Sequence, residues 1–365
     1  MNIEKKKQSQ ASLFNIEKKI EQSTSTVSEI RVPIFLPVAK IAHNSKIALE
    51  FKKNENILKL KTSWGNVELR GRKLLTSVHR DILDCISTYN RKTELCMNGD
   101  IKIYFTLTNI LKQYGHKNPN ANIAWLKKRI EEIRDLTVNY VRNNGDNFDF
   151  NLISNISHSE ELKMYCITLD KAYVKFYESE LSINYKKELP KLLQIKDPII
   201  KTIIRWFFTH SSQTSYGLTT VLDAIGIPTD FLSLRMFQLH KKSIKDGIGI
   251  LNKFGIDFNF KEEIFFYTGN ENVAFIPSLF SNVKKPNKKL KENKLSEYNG
   301  SRIKIENDSY TIANIELILD EDDEADYYLI YIAGSDETLK FNKQKAKNDK
   351  DFEIELVSWI RQNNL

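Results

Sequence analysis

The chain has 365 residues, 41% hydrophobic, 28% charged and 11% aromatic, with only 13 Gly and 8 Pro. That composition excludes wholesale disorder, collagen-like repeats and low-complexity architecture, and it supplies apolar side chains for more than one core. The net charge of +8 is unevenly spread: residues 301–365 carry 8 Lys and Arg against 15 Asp and Glu, a net of −7, which leaves +15 on the first 300. A basic body joined to an acidic module attracts polyanions, and nucleic acid is the commonest of these, although a lysine-rich proteome alone raises the same charge.

No stretch reaches the roughly 18 to 20 uninterrupted apolar residues of a membrane span. The longest candidate, Val32 to Ala42, is broken by Pro33, Pro37 and Lys40. The first ten residues are polar and lysine-rich with no apolar segment behind them, so a secretory signal is not expected and the predicted compartment is the cytoplasm, without membrane contact. Cys85, Cys96 and Cys166 are scattered, with no paired spacing and no matching His, and read as buried hydrophobes rather than metal ligands or disulfides.

In chain order, residues 1–30 read as a flexible basic arm with one short apolar periodicity at Leu13, Ile16 and Ile20. Alternation over Ile47 to Arg70, interrupted at Lys53 to Asn56 and at Trp64 to Asn66, predicts a small antiparallel β segment. A helix follows from Leu74 to Tyr89. Next come a strand over Ile101 to Phe105, a short helix from Leu107 to Tyr114 closed by Gly115, and a longer helix from Ala121 to Leu136. Strands are predicted over Val138 to Arg142 and Phe148 to Ile156, about an Asn-Gly turn, with a third over Leu162 to Thr168.

The pattern then recurs. Asp197 caps a helix from Pro198 to His210, a short helix from Leu218 to Ile225 ends at Gly226, and a long helix runs from about Asp230 to Phe254. Strands over Ile256 to Phe260, Ile264 to Tyr267 and Val273 to Pro277 close the second copy. The letters repeat too: Leu107-Thr108-Asn109-Ile110-Leu111 with Gly115 aligns with Leu218-Thr219-Thr220-Val221-Leu222 and Gly226. Residues 281–300 hold six lysines and read as a basic linker. Beyond it, strands at Arg302 to Ile305, Tyr310 to Leu319, Tyr327 to Ile332 and Leu339 to Asn342, with a helix over Phe352 to Gln362, predict an acidic β module.

Three helices ending in a β-hairpin make a winged helix, so the predicted fold is α+β: two tandem winged-helix domains (31–180 with the β segment, and 181–280), followed by the small β-rich module with its terminal helix (301–365). In the second copy a core stripe of Phe237, Ile244, Ile248 and Leu251 turns Arg235, Gln238, Lys242 and Lys245 outward within an arc of about 80°. Arg suits guanine, Gln suits adenine, and Lys suits guanine or phosphate, so these four are the candidate base and phosphate readers; the plainer alternative is a solvated basic face. In the first copy the stripe Ile123, Leu126, Ile130 and Ile133 turns Trp125 and Lys128 outward beside Glu131, Glu132 and Asp135. Only its N-terminal half, with Asn122, Lys127, Lys128 and Arg129, suits DNA, as mainly backbone contacts, and Trp125 is the candidate protein interface.

The chain has no phosphate loop, no paired His-x-His, no H-E-x-x-H and no G-x-S-x-G, so no enzymatic activity and no cofactor are predicted. The acidic run Asp320 to Glu324 with Asp326 has no interleaved glycine or oxygen ligands and reads as a solvated loop, not a metal site. His79 and His210 fall in predicted helices, where packing is the expected role.

The tandem arrangement, with residues 31–39 (RVPIFLPVA) and 71–83 (GRKLLTSVHRDIL), resembles the initiator proteins of iteron-containing plasmids, most of all the TrfA-type branch, over roughly residues 31–280. The resemblance implies binding to direct repeats at an origin, melting of adjacent AT-rich DNA, recruitment of a host replicative helicase or initiator, and dimer contacts through the first winged helix, with the second as the principal reader. A winged-helix transcriptional repressor would share fold and charge. The acidic module has no place in the family pattern and reads either as a docking site for a host replication protein or as an intramolecular mimic of DNA.

Overall fold

The structure is a computed structural model that describes residues 16–279 apart from 63, 144, 212, 228, 230 and 231, together with 302–305, 308–319, 325–332, 338–342, 356 and 358–360. It is a mixed α+β fold with several small sheets, divided into two compact units, Met1–Val283 and Lys284–Leu365. Residues 1–15, the lysine-rich linker, the run 320–324 and the predicted helix start at Asp230 lie outside the described residues.

The first unit opens with helix α1 (16–22), strand β1 (Ser25–Thr26), helix α2 (Val27–Arg31) and strand β2 (Phe35–Leu36). Residues 16–30 are therefore not a flexible arm. Ile16, Ile20, Val27 and Ile30 enter the cores, and Thr26 and Glu29 form a capping box on α2. Lys19 is buried and donates to the carbonyl of Tyr177 at 2.8 Å; desolvation pushes its pKa down to about 8. The apolar periodicity was too short to announce this, because the segment is ordered by packing on distant residues.

Next come α3 (Lys46–Lys53), β3 (Ile57–Thr62), β4 (Gly65–Gly71), β5 (Leu75–Thr76), α4 (Ser77–Tyr89), β6 (Lys92–Leu95), β7 (Ile101–Phe105), α5 (Leu107–Tyr114) and α6 (Ile123–Arg134). Residues 46–53, expected as strand, form a helix instead: Ser45 caps it by accepting from Ala48 N, and Ala48 and Phe51 bury one face at i, i+3 spacing. A five-residue alternation is compatible with either period.

The unit continues through β8 (Leu136–Arg142), β9 (Asn147–Asn151), β10 (Ile153–Ser159), β11 (Met164–Leu169), α7 (Lys171–Ser179), β12 (Ser182–Asn184) and α8 (Leu189–Gln194). The predicted strand Phe148 to Ile156 breaks at Leu152. Its first half pairs with β8 and joins β3 and β4 in one sheet, whereas its second half pairs with β11 in another. Two hairpins thus follow α6 where one was expected.

The second copy is α9 (Pro198–Phe207), β13 (Thr214–Gly217), α10 (Leu218–Ala224), α11 (Leu234–Leu251), β14 (Ile256–Asn259) and β15 (Ile264–Tyr267), after which β16 (Ala274–Ile276) pairs with β12. Both copies share a common core topology, to which the first adds β6 and the β8–β9 hairpin. The strand before the short helix pairs with the second strand of the closing hairpin, β7 with β11 and β13 with β15. Leu107, Ile110 and Leu111 are buried as are Leu218, Val221 and Leu222, and Gly115 and Gly226 both take positive φ (102° and 85°) just after their helices. Each closing hairpin also ends its turn on a left-handed residue, Lys163 (φ 50°) and Glu263 (φ 57°).

Two apolar cores result, one around α4, α5 and α6 and one around α9, α10 and α11. In the second unit, β17 (Arg302–Ile305), β18 (Asp308–Leu319), β19 (Ala325–Ile332) and β20 (Thr338–Asn342) form an antiparallel meander. Ile330, Phe341, Leu356 and Ile360 are buried, with the rings of Phe341 and Trp359 5.4 Å apart. Among the described residues no helix is long and apolar enough to cross a membrane.

Candidate nucleic-acid interface

Helix α11 is capped at its N-terminus and held against its neighbours at three points. Its N-terminus is capped by Ser233, whose Oγ accepts from Met236 N. Along its inner face Ile244, Gly247 and Leu251 are buried; a Cβ on Gly247 would lie 2.6 Å from Ile200 Cδ1 on α9, so any larger residue there would force the Ile200 side chain to shift. Ser243 donates to Asp197, the residue that caps α9 through Ile199 N and Ile200 N. Lys241 pairs with Glu263 in the hairpin turn, tying the helix to the β14–β15 hairpin. His240 is half-buried and desolvation lowers its pKa, so it stays neutral at physiological pH.

With the inner face engaged, the outer one is left to solvent. Arg235, Gln238, Lys242 and Lys245 are all exposed, and no ion pair or hydrogen bond with a described residue holds any of them. Asp246 is the acid on the same side. Leu234 (78% exposed) and Leu239 (49%) stand among these polar groups.

Helix α6 is a different surface. Glu132 gathers Lys73 (2.9 Å), His79 Nε2 (2.8 Å) and Arg129. Partial burial opposes ionisation of its carboxyl, but hydrogen bonds from Lys73 and His79 and the Arg129 charge outweigh it and hold the pKa below the usual carboxylate range. His79 also caps α4 through Thr76, and its own pKa is lowered by burial despite Glu132. Arg134 pairs with Asp135. Lys127 lies over the Tyr165 ring at 4.7 Å, and Asn122 donates to the carbonyl of Asn118. Of the residues expected to meet DNA here, Lys128 is exposed and no described residue bonds to it, whereas Arg129 and Lys127 are engaged within the chain. Trp125 is half-buried and packs on Tyr114 (5.6 Å) and His116 (5.1 Å), with Arg129 over its ring, so its contacts lie inside the unit rather than on an open interface.

A buried charge cluster joins the first helices of the two copies. Arg205 of α9 donates to Asp81 at 2.7 Å and to Asp84 at 2.8 Å, both on α4, and Lys201 pairs with Asp81. Arg80 meets Asp84 at 2.8 Å, Glu29 at 3.3 Å and Tyr185 Oη at 3.1 Å, and Tyr185 donates to Asp84. Three cations face three carboxylates, none more than 9% exposed. Burial alone would lower the Arg205 pKa, but Asp84 and Asp81 outweigh it and raise it. Sequence reading missed this cluster. Its signal was present: Lys201 and Arg205 at i, i+4 inside an apolar helix, and Asp81 and Asp84 on the apolar side of α4.

Arg31 is a further fastening. It stacks on Trp64 at 4.2 Å and donates to Thr209, and burial pushes its pKa down to about 10, so it remains cationic at neutral pH. The two segments that carry the initiator resemblance meet directly, with Phe35 paired to Leu75 and Leu36 to Thr76 in a parallel ladder.

No protein-family model matches the chain, and no curated protein matches it. Among solved structures it is similar to a crystal structure of domains 2 and 3 of RctB at 11% identity and a TM-score of 0.37, covering 58% of this chain and 87% of that one. A second structure of RctB domains 2 and 3 gives 11% identity, a TM-score of 0.31, and coverage of 57% and 88%. A likeness of that strength leaves function to the residues themselves.

Proposed function

We propose that residues 31–280 form two tandem winged helices and that the chain is a sequence-specific double-stranded DNA-binding replication initiator, without enzymatic activity of its own. The supporting observation is the outer face of α11: three cations and a glutamine, exposed and unpaired, on a helix pinned from behind by Asp197, Ile200 and Glu263. A helix fixed in this way presents its readers with little further ordering cost, which is what groove recognition needs. The hairpin turn tied to α11 through Lys241 would approach the flanking backbone.

The step from DNA binding to initiation rests on the resemblance of residues 31–39 and 71–83 to iteron-plasmid initiators, and with it go direct repeats as the ligand and a host helicase as a partner. A mobility-shift titration of the full chain against the DNA flanking its gene tests the binding. Selective retention of a fragment with direct repeats is expected, with affinity falling by a log-log slope of about −0.9 per phosphate neutralised as salt rises. Equal affinity for every fragment would reject sequence-specific recognition. A single inverted repeat over a promoter as the bound fragment would turn the assignment to repression.

A further inference from the structure

Leu234, Met236 and Leu239 are exposed by 78%, 43% and 49% within the first two turns of α11. Each leaves apolar surface in water that burial would favour, and three in one stretch of helix point to something that covers them. At about 100° per residue, Leu239 falls about 40° from Arg235 on one flank and Leu234 about 40° from Gln238 on the other. The outer face thus runs Leu234, Lys245, Gln238, Lys242, Arg235, Asp246, Leu239 in angular order, with Asp246 three turns C-terminal to Arg235 and so at the far end of the face from the leucines. Met236 lies about 60° beyond Leu239, towards Ser243.

This alternation decides the occupant. A protein partner docking on the leucines would have to desolvate Arg235, Gln238 and Lys242 between them and supply a carboxylate or amide for each at the same spacing. The floor of a major groove presents guanine and adenine edges for Arg and Gln, phosphates at its margins for Lys, and the thymine 5-methyl as its apolar feature. We propose that Leu234 and Leu239 each pack on a thymine methyl, which makes the ligand of α11 a duplex with thymines flanking the purines read by Arg235 and Gln238. The inference rests on the DNA-reading assignment above and adds the base identity at two further positions.

Deoxyuridine tests it directly, since it pairs as thymine does and lacks only the methyl. A pool of duplexes with a randomised core is selected on the full chain, and the enriched duplex is then remade with deoxyuridine at one thymine at a time. Two positions are expected to weaken binding by about three- to fivefold each, the loss for one buried methyl-sized group. Leu234→Ala should abolish the sensitivity at one of them and Leu239→Ala at the other, while Met236→Ala leaves both. Both leucines are exposed, so neither substitution threatens the fold, which a thermal melt checks. Unchanged binding by every deoxyuridine duplex, or an enriched site without thymine, overturns the inference and leaves the DNA reading standing. Failure to enrich any duplex removes the DNA reading itself. Loss of a dimer on sedimentation of Leu234→Ala or Leu239→Ala, with deoxyuridine sensitivity intact, overturns the inference in favour of a second copy of the chain as the occupant.

Discussion

Helices α6 and α11 hold the same place in two copies of one topology, and their cations are used in opposite ways. On α6, Arg129 and Arg134 are paired along their own helix, and Glu132 also draws in Lys73 and His79 from outside it. On α11, Lys241 is paired and Ser243 bonded, but both bonds point inward or sideways to the scaffold, and the four outer groups stay free among the described residues. A shared fold thus carries two surfaces, one neutralised by its own carboxylates and one prepared for an external polyanion. Each helix carries four cations, so the cations do not separate them. The carboxylates set beside those cations do.

The largest effect is expected where the two copies are joined. Asp84→Ala leaves Arg80 and Arg205 buried with half their compensation, and should cost about 3 to 5 kcal/mol of unfolding free energy, read by chemical denaturation. A loss within about 0.5 kcal/mol would mean the cluster is hydrated and the joint loose. Next, Arg235→Ala should weaken specific DNA binding by about 1 to 3 kcal/mol and relax preference at one position, whereas Arg129→Ala, already held by Glu132, should barely change it. Equal losses from the two would erase the contrast between the helices.

Acid should weaken the second copy more gently. His210 packs at a tilt on Trp206 with ring centroids 4.5 Å apart, and burial, aided by the Arg31 charge, lowers its pKa to about 3. The unfolded chain, with a His pKa of about 6.5, therefore binds the extra proton between those values, so this contribution is whole above about pH 6.5 and is lost as pH falls towards 3. At pH 5 the loss should be about 1 to 2 kcal/mol, and His210→Gln should flatten that limb of the stability profile. The smallest and most pointed test converts one helix towards the other. Glu132→Gln releases Arg129 and Lys73, and should steepen the salt dependence of DNA binding by about one to two phosphates without altering sequence preference. No change in slope would show that α6 faces away from the duplex.

How far the chain could be read in advance differs by element. The helices and closing strands of the second copy were legible because they carry clear periods of 3.6 and 2, and the glycines after the short helices do occupy the left-handed region, but β13, too short to show a period, was not foreseen. The strands of the acidic module were found within two residues of their ends. The failures were short segments with weak periods. KIALEFKK became a helix, Phe148 to Ile156 split between two sheets, and residues 16–30 became part of the core. At the candidate site, the outward set of α11 followed from periodicity alone, but the engagement of Lys127 and Arg129 did not.

By itself, then, the order of letters determined the repeated order of the helices and the side of α11 that meets water, since both follow from local periodicity and capping. Tertiary structure alone decided which charges are free. Lys201 and Arg205 find Asp81 and Asp84 across more than a hundred residues, and Glu132 finds Lys73 and His79 across more than fifty. Ion pairing depends on distance and burial in space, and neither is encoded in the spacing of residues along one element.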